Sequence, residues 1–209
     1  MLCTLTRTGR VETANYCTVR MPTDAEIPAM VKGKFGDTYK AIYSTAVGKE
    51  GGAAVLLEYA WDMAWCDPCA ADPLSPEELC ELGVFWVQRQ GRIGIPRPMP
   101  RASDVFVTRL HARYNAQSFP EDLRLTETGD RTNFRGRYIL RHAFTGEVTC
   151  EAGEKYRQSL PQRWDREAQT LANLTGWDIG EIRAEMANHG TDPGEVPEPQ
   201  PWWKDLWKD

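Results

Sequence analysis

The sequence predicts an α+β fold, with an antiparallel, β-rich core, short helices and a helical C-terminal segment. Three observations carry this. Apolar and polar residues alternate at 2–7 and 10–19. Further strand-like stretches crowd into 104–144. Sustained helical spacing is concentrated at 151–187, so strands and helices are segregated rather than interleaved.

Element by element, LCTLTR (2–7) and RVETANYCTV (10–19) alternate on either side of Thr8-Gly9, which predicts an antiparallel hairpin. In MPTDAEIPAMVKG, Thr23 or Asp24 is placed to cap a short helix that Pro28 limits. Asp37 opens a second helical stretch, DTYKAIYSTAV, with Tyr39, Ile42 and Tyr43 on one face. AAVLLEYAW (53–61) reads as an apolar central strand. Ser75-Pro76-Glu77-Glu78 is a capping-box helix start, and Gly83 ends that helix. VFWVQ (84–88) reads as a short strand, and 91–100 as a Pro-rich loop. A meander then follows, with strands near 104–114, 122–128 and 133–144 and a fourth ending at Cys150. Two helices are expected at 151–160 and 161–174, divided at Pro161. A last one is capped by Asp178 with Glu181 and runs to about Ala187. The expected organisation is one α+β domain over 1–189 and a Pro-rich, flexible tail over 190–209.

Composition narrows the function classes. A chain of 209 residues with 41% hydrophobic content can bury a core without covalent staples. A net charge of −5 argues against general nucleic-acid binding, which needs clustered Lys and Arg. No apolar run approaches the ~18 residues of a spanning helix, and no signal-peptide pattern opens the chain.

The sharpest motif is Trp65-Cys66-Asp67-Pro68-Cys69, one letter from the WCGPC of thioredoxin. A thiol at a helix N-terminus becomes a nucleophile, so Cys66 and Cys69 can be read as a redox dithiol with Cys66 attacking. Pro73 and Pro76 prevent one unbroken helix after the motif, and about 30 residues to Pro96 leave little room for a parallel crossover. Asp67 places a negative charge beside Cys66, which disfavours the thiolate. A second reading makes Cys66, Cys69 and Cys80, with Cys150 or a His, a zinc site, although a second close pair is missing. The favoured reading is structural: Cys66 and Cys69 are disulfide partners, of each other or of distant cysteines, pinning a Pro-rich loop.

Residues 101–142 contain eight Arg, no Lys and five acids. Arg without Lys suits planar, bidentate contacts to carboxylate or phosphate. Arg109, His111 and Arg113 share one face of a strand and form the candidate contact surface. The plainer alternative is a solvated sheet face whose Arg pair with Glu121, Asp122, Glu127 and Asp130. No nucleophile–base set and no phosphate loop is visible, so no catalytic residue and no cofactor is assigned, zinc excepted as the alternative above. Trp202, Trp203, Leu206 and Trp207 in the tail lack the cationic face of a membrane anchor.

Six stretches, GRVETANYCTVRMPTD, EYAWDMAWCDPCAADPLS, FVTRLHARY, FPEDL, NFRGRY and LTGW, together resemble the C-terminal part of a bacterial family catalogued as domain of unknown function 2330. The resemblance spans about residues 2–187. Arg135, Cys17 and Cys80 depart from its pattern. It implies an exported envelope protein, with this chain as the back half of a longer parent whose signal peptide and additional β-rich region lie elsewhere. That setting would reconcile disulfide-type cysteines with the absence of a signal. The family has no established activity, so no catalytic residue is carried over. The expected function is a non-catalytic, extracytoplasmic structural or interaction domain with a protein or envelope partner. The thiol–disulfide oxidoreductase and the zinc-binding structural domain are its alternatives.

Overall fold

The computed structural model describes residues 1–65, 67, 74–87 and 104–192. In chain order they form β1 (Leu2–Thr6), β2 (Val11–Thr13), β3 (Cys17–Arg20), β4 (Ala25–Ile27), a 3₁₀ helix (Ala29–Lys34), α1 (Phe35–Lys49) and β5 (Ala54–Asp62). Then come α2 (Pro76–Glu81), β6 (Phe106–His111), β7 (Leu125–Glu127), β8 (Phe134–Arg135), β9 (Tyr138–Leu140), α3 (Glu151–Thr175) and α4 (Ile179–Asn188). Mixed sheets and four α-helices with a long C-terminal one make this the expected α+β class. Contacts divide the chain into two compact units, Met1–Thr23 with Ala46–Arg137, and Asp24–Thr45 with Tyr138–Asp209.

The first unit is built on a five-stranded sheet. Its order is β1-β6-β5-β3, with β8 also pairing β5. β3 runs parallel to β5, while β1, β6 and β8 pair antiparallel. β5 is central, as its apolar run requires: Ala54, Val55, Leu56, Leu57 and Ala60 are all buried. Beneath it lie Phe106 and Leu110 of β6 and Phe134 of β8. A satellite core of Leu79, Val84 and Val105 seats α2. Ser75 caps that helix as expected: its Oγ accepts from Glu78 N at 3.2 Å while the Glu78 carboxylate accepts from Ser75 N at 2.8 Å. These backbone and side-chain bonds hold the Glu78 carboxyl below the usual range. Gly83 follows with φ 89°, a left-handed conformation that ends the helix at little cost to glycine.

The predicted hairpin does not form. β1 pairs with β6, and β2 pairs with β7. The Thr8-Gly9 turn is real, but it carries the chain from the main sheet into the β2–β7 ribbon. Arg10 N donates to Asp130 O at 2.8 Å, and a Cβ on Gly9 would lie 2.6 Å from that oxygen. The meander is corrected for the same reason. β6, β7, β8 and β9 do not pair with one another; each joins a strand from the first 62 residues. Turn chemistry is local, whereas the pairing partner is chosen by the hydrophobic face that must be buried. The 84–87 stretch is a turn closing α2, with Val84 N donating to Leu79 O at 3.0 Å, and no strand lies between Leu140 and Cys150.

In the second unit, β4 and β9 pair in parallel, and Ile27, Val31, Ala168, Leu171, Ile182 and Met186 form the core. The helix expected near Asp24 is instead β4 followed by the 3₁₀ turn, because Pro28 forces Ile27 into extended backbone. The two helices expected on either side of Pro161 are one 25-residue helix, α3. An interior proline costs roughly 3 kcal/mol. Burial begins at Leu160 and continues through Ala168, Leu171 and Thr175, so tertiary packing outweighs that cost. Gly176, φ 74°, ends α3, and Asp178 caps α4 by accepting from Glu181 N at 2.9 Å.

Candidate functional site

A glutamate inside the run AVLLEYAWD is the starting point. A charge in a central strand must be paired or exposed. β5 solves this with a bulge: Leu57 faces Leu110 of β6, but the next matched pair is Tyr59 with Arg109, and Glu58 is the extra residue. The bulge shifts the side-chain alternation by one, so that Glu58 and Tyr59 both serve the face that carries Arg109 and His111. The backbone is not left short. Glu58 C=O accepts from Gly136 N at 2.9 Å, and Leu57 C=O from Met21 N at 2.9 Å.

Glu58 is 5% exposed, ion-pairs with Arg109 of β6 and hydrogen-bonds His111 of the same strand. Arg109 Nε lies 3.0 Å from Oε2, and His111 Nδ1 lies 2.8 Å from Oε1. A carboxylate only accepts, so Nδ1 carries the proton and Nε2 is left as the other ring nitrogen. Arg109 keeps 46% of its side chain exposed while Glu58 fixes its Nε end. The result is a cation and an imidazole oriented by one buried carboxylate.

A second clamp adjoins the first. Tyr59 is the cross-strand partner of Arg109 on one side and of Arg135 in β8 on the other. The Arg109 guanidinium lies 6.0 Å from the Tyr59 ring, Tyr59 and Trp61 stack at 5.9 Å, and the Arg135 guanidinium lies 5.7 Å from the Trp61 ring. Arg135 is ion-paired with buried Asp67, and the Tyr59 phenol bonds the same carboxylate. Burial pushes the Tyr59 phenol up to about 12, and the charge of Asp67 and its hydrogen bond add to that. Arg109 and Arg135 pull the other way. Trp61 Nε1 also donates to Trp65 O at 2.8 Å.

Asp67 is therefore not the isolated charge that the sequence argument about Cys66 supposes. Its carboxylate is taken up by Arg135 and Tyr59. Cys66 and Cys69 themselves lie outside the described residues. Cys80 sits on α2 with its thiol 3.4 Å from Val87 O, and Cys150 is the exposed N-cap residue of α3. Cys3, Cys17, Cys80 and Cys150 are free thiols, and no group of three or more His, Cys, Asp or Glu suited to a metal occurs among the described residues. Arg113 lies two residues beyond the end of β6 and is exposed, so the predicted stripe is a strand face for Arg109 and His111 only. The expected Arg pairings also differ: Asp130 takes Arg10 at 2.6 Å, Asp62 takes Arg131 at 2.9 Å, and Glu26 takes Arg141 at 2.7 Å.

Sequence reasoning missed Glu58, Tyr59, Trp61 and the pairing of Asp67 with Arg135. The available signal was Glu58 itself, a lone charge in an otherwise uncharged run from Ala53 to Trp61.

The family model described as "Uncharacterized protein conserved in bacteria (DUF2330)" matches residues 1–126. The chain belongs to this family. The DUF2330 match contains Glu58, Tyr59, Trp61, Asp67, Arg109 and His111, while Arg135 lies beyond it. No curated protein and no solved structure matches the chain. Among the described residues of this DUF2330 protein, no helix is long and apolar enough to cross a membrane.

Proposed function

We propose that this chain is a non-catalytic interaction domain of an exported bacterial envelope protein, and that its contact face is centred on Arg109 and His111. The observation that carries this reading is the buried Glu58 carboxylate, which forms an ion pair with Arg109 at 3.0 Å and a hydrogen bond with the His111 ring at 2.8 Å. A guanidinium held at one end and exposed along its other edge loses little freedom when it meets a partner, which is what preorganised recognition needs. Its planar donors suit a carboxylate-bearing partner. The same proposal keeps a Cys66–Cys69 staple beside Asp67, a residue already anchored by Arg135.

Poly-L-glutamate is a suitable probe. Calorimetric titration should detect binding to the intact chain, weakened at least fivefold in both Arg109→Ala and His111→Ala with unchanged circular dichroism. Equal binding by all three proteins would overturn the contact face. The dithiol rival is tested separately by equilibration in glutathione buffers. A Cys66–Cys69 bond titrating between about −120 and −270 mV would favour an oxidoreductase, and one resisting below about −300 mV a structural staple. Thiols that stay reduced and together bind one zinc ion would favour the zinc domain.

A further inference from the structure

We infer that the cleft where α3 ends and α4 begins is a second binding site, and that it takes a neutral saccharide. The cleft holds about 600 Å³, within the roughly 300–1,000 Å³ usual for small-molecule sites. Its polar lining is Gln169, Asn173 and Asp178, and its aromatic side chain is Trp177. The stretch LTGW, 174–177, supplies the turn and plays no part in the face of Arg109 and His111. That turn is held at each step. Gly176, φ 74°, donates from its N–H to Ala172 O at 2.8 Å, and Thr175 C=O accepts from Thr45 Oγ1 at 2.9 Å. Thr175 Oγ1 donates to Leu171 O at 2.7 Å and accepts from Trp177 N at 3.2 Å. Trp177 packs against the core that includes Ile182 and Met186, and Lys34 Nζ lies 5.1 Å from its ring. The indole is fixed before a ligand arrives, so binding costs little side-chain freedom.

The lining selects the ligand. No Lys or Arg of the described residues lines the cleft, so an anion finds no counter-charge there. The N-terminus of α4 does not substitute for one, because Asp178 Oδ1 already accepts from Glu181 N at 2.9 Å and brings its own negative charge. A cation meets the Lys34 ammonium standing beside the Trp177 ring, and like charges repel. An apolar ligand would leave two amides and a carboxylate without partners. A sugar ring answers all of them. Its C–H face packs on an indole, and its hydroxyls both donate and accept. Gln169 and Asn173 are exposed, lie four residues apart on α3 and share one side of that helix. Gln169 is oriented by donating one amide N–H to Asp165 Oδ2 at 2.6 Å, which leaves its carbonyl oxygen and second N–H for the cleft. Asp178 keeps Oδ2 as a further acceptor.

The test titrates the full chain with cellotriose and with maltotriose, two glucose trimers of opposite anomeric linkage, and follows nitrogen-15 NMR spectra. At least one trimer should shift the Trp177 indole N–H and the Gln169 side-chain amide saturably. Trigalacturonate, a charged trimer, should bind at least fivefold more weakly. Gln169→Ala, Asn173→Ala and Trp177→Leu should each weaken the neutral trimer at least fivefold with unchanged circular dichroism. Trp177 also serves the core, so the two exposed amide variants decide the matter if Trp177→Leu unfolds. Arg109→Ala should leave saccharide binding unchanged, which separates this cleft from the proposed contact face. No shift with either neutral trimer, trigalacturonate binding as tightly, or amide variants that bind like the wild type would each overturn the inference.

Discussion

Two buried glutamates, one in each unit, meet the same problem with opposite success. Glu58 sits at a strand bulge and receives Arg109 and His111 from the neighbouring strand, one on each oxygen. Glu167 sits within α3 and receives Arg163 from one turn earlier on the same helix, at 3.2 Å. That approach yields an ion pair without hydrogen-bond geometry: Glu167 Oε1 and Arg163 Nε are buried and make no hydrogen bond. Burial raises the Glu167 carboxyl, and the charge of Glu26 adds, against the opposing Arg163, Arg141 and Arg166. A bulge re-aims a carboxylate toward donors on another strand, whereas an i,i+4 pair must accept the geometry of the helix.

The comparison can be broken by removing partners. The largest effect is expected on the sheet side, where Arg135→Ala takes the cation from the buried Asp67 carboxylate. Unfolding in denaturant should show a loss of about 3–5 kcal/mol, the usual cost of removing the opposite charge from a buried pair. A loss below ~1 kcal/mol would mean that solvent already screens this clamp.

Next comes Tyr59. Tyr59→Phe removes a hydrogen bond to a charged acceptor and should cost about 1.5–3 kcal/mol. The titration has a defined sign. The folded phenol titrates near 12 against an ordinary 10.0, so its stabilising contribution is whole below pH 10 and is lost as pH rises toward 12. Ultraviolet difference spectra should therefore show one late phenolate in the wild type that is missing in Tyr59→Phe.

The smallest effect belongs to Glu167→Gln. Its carboxyl is raised above 4.5, so its contribution to stability is whole below that value and is lost as pH rises through the folded value. Denaturation midpoints should fall with pH across that interval in the wild type relative to Glu167→Gln, leaving the variant no less stable at pH 7. A variant clearly weaker at neutral pH would show that the Arg163 pair compensates Glu167 after all.

Local features were legible in the sequence and long-range ones were not. The capping box at Ser75, the Asp178 cap, the Gly83 stop and the central apolar strand all rest on residues within a few positions of each other. The pairing of β1 with β6 and of β2 with β7 joins residues about a hundred positions apart, and nothing in Thr8-Gly9 encodes it. For the site, Arg109 and His111 were visible as a period-two pair on one strand. Their carboxylate was hidden because strict alternation sends Glu58 and Tyr59 to opposite faces, and only the bulge sets them on the same one. Pro161 misled because a local rule met a helix whose later half is buried.

The central claim is that Glu58 holds Arg109 and His111 in place, and the His111 ring reports it most directly. Nitrogen-15 NMR of the imidazole in wild type and Glu58→Gln is the measurement to make. The geometry predicts an Nδ1–H ring in the wild type, donating to Oε1, with that tautomer lost in the variant. An Nε2–H ring in both proteins would contradict the account.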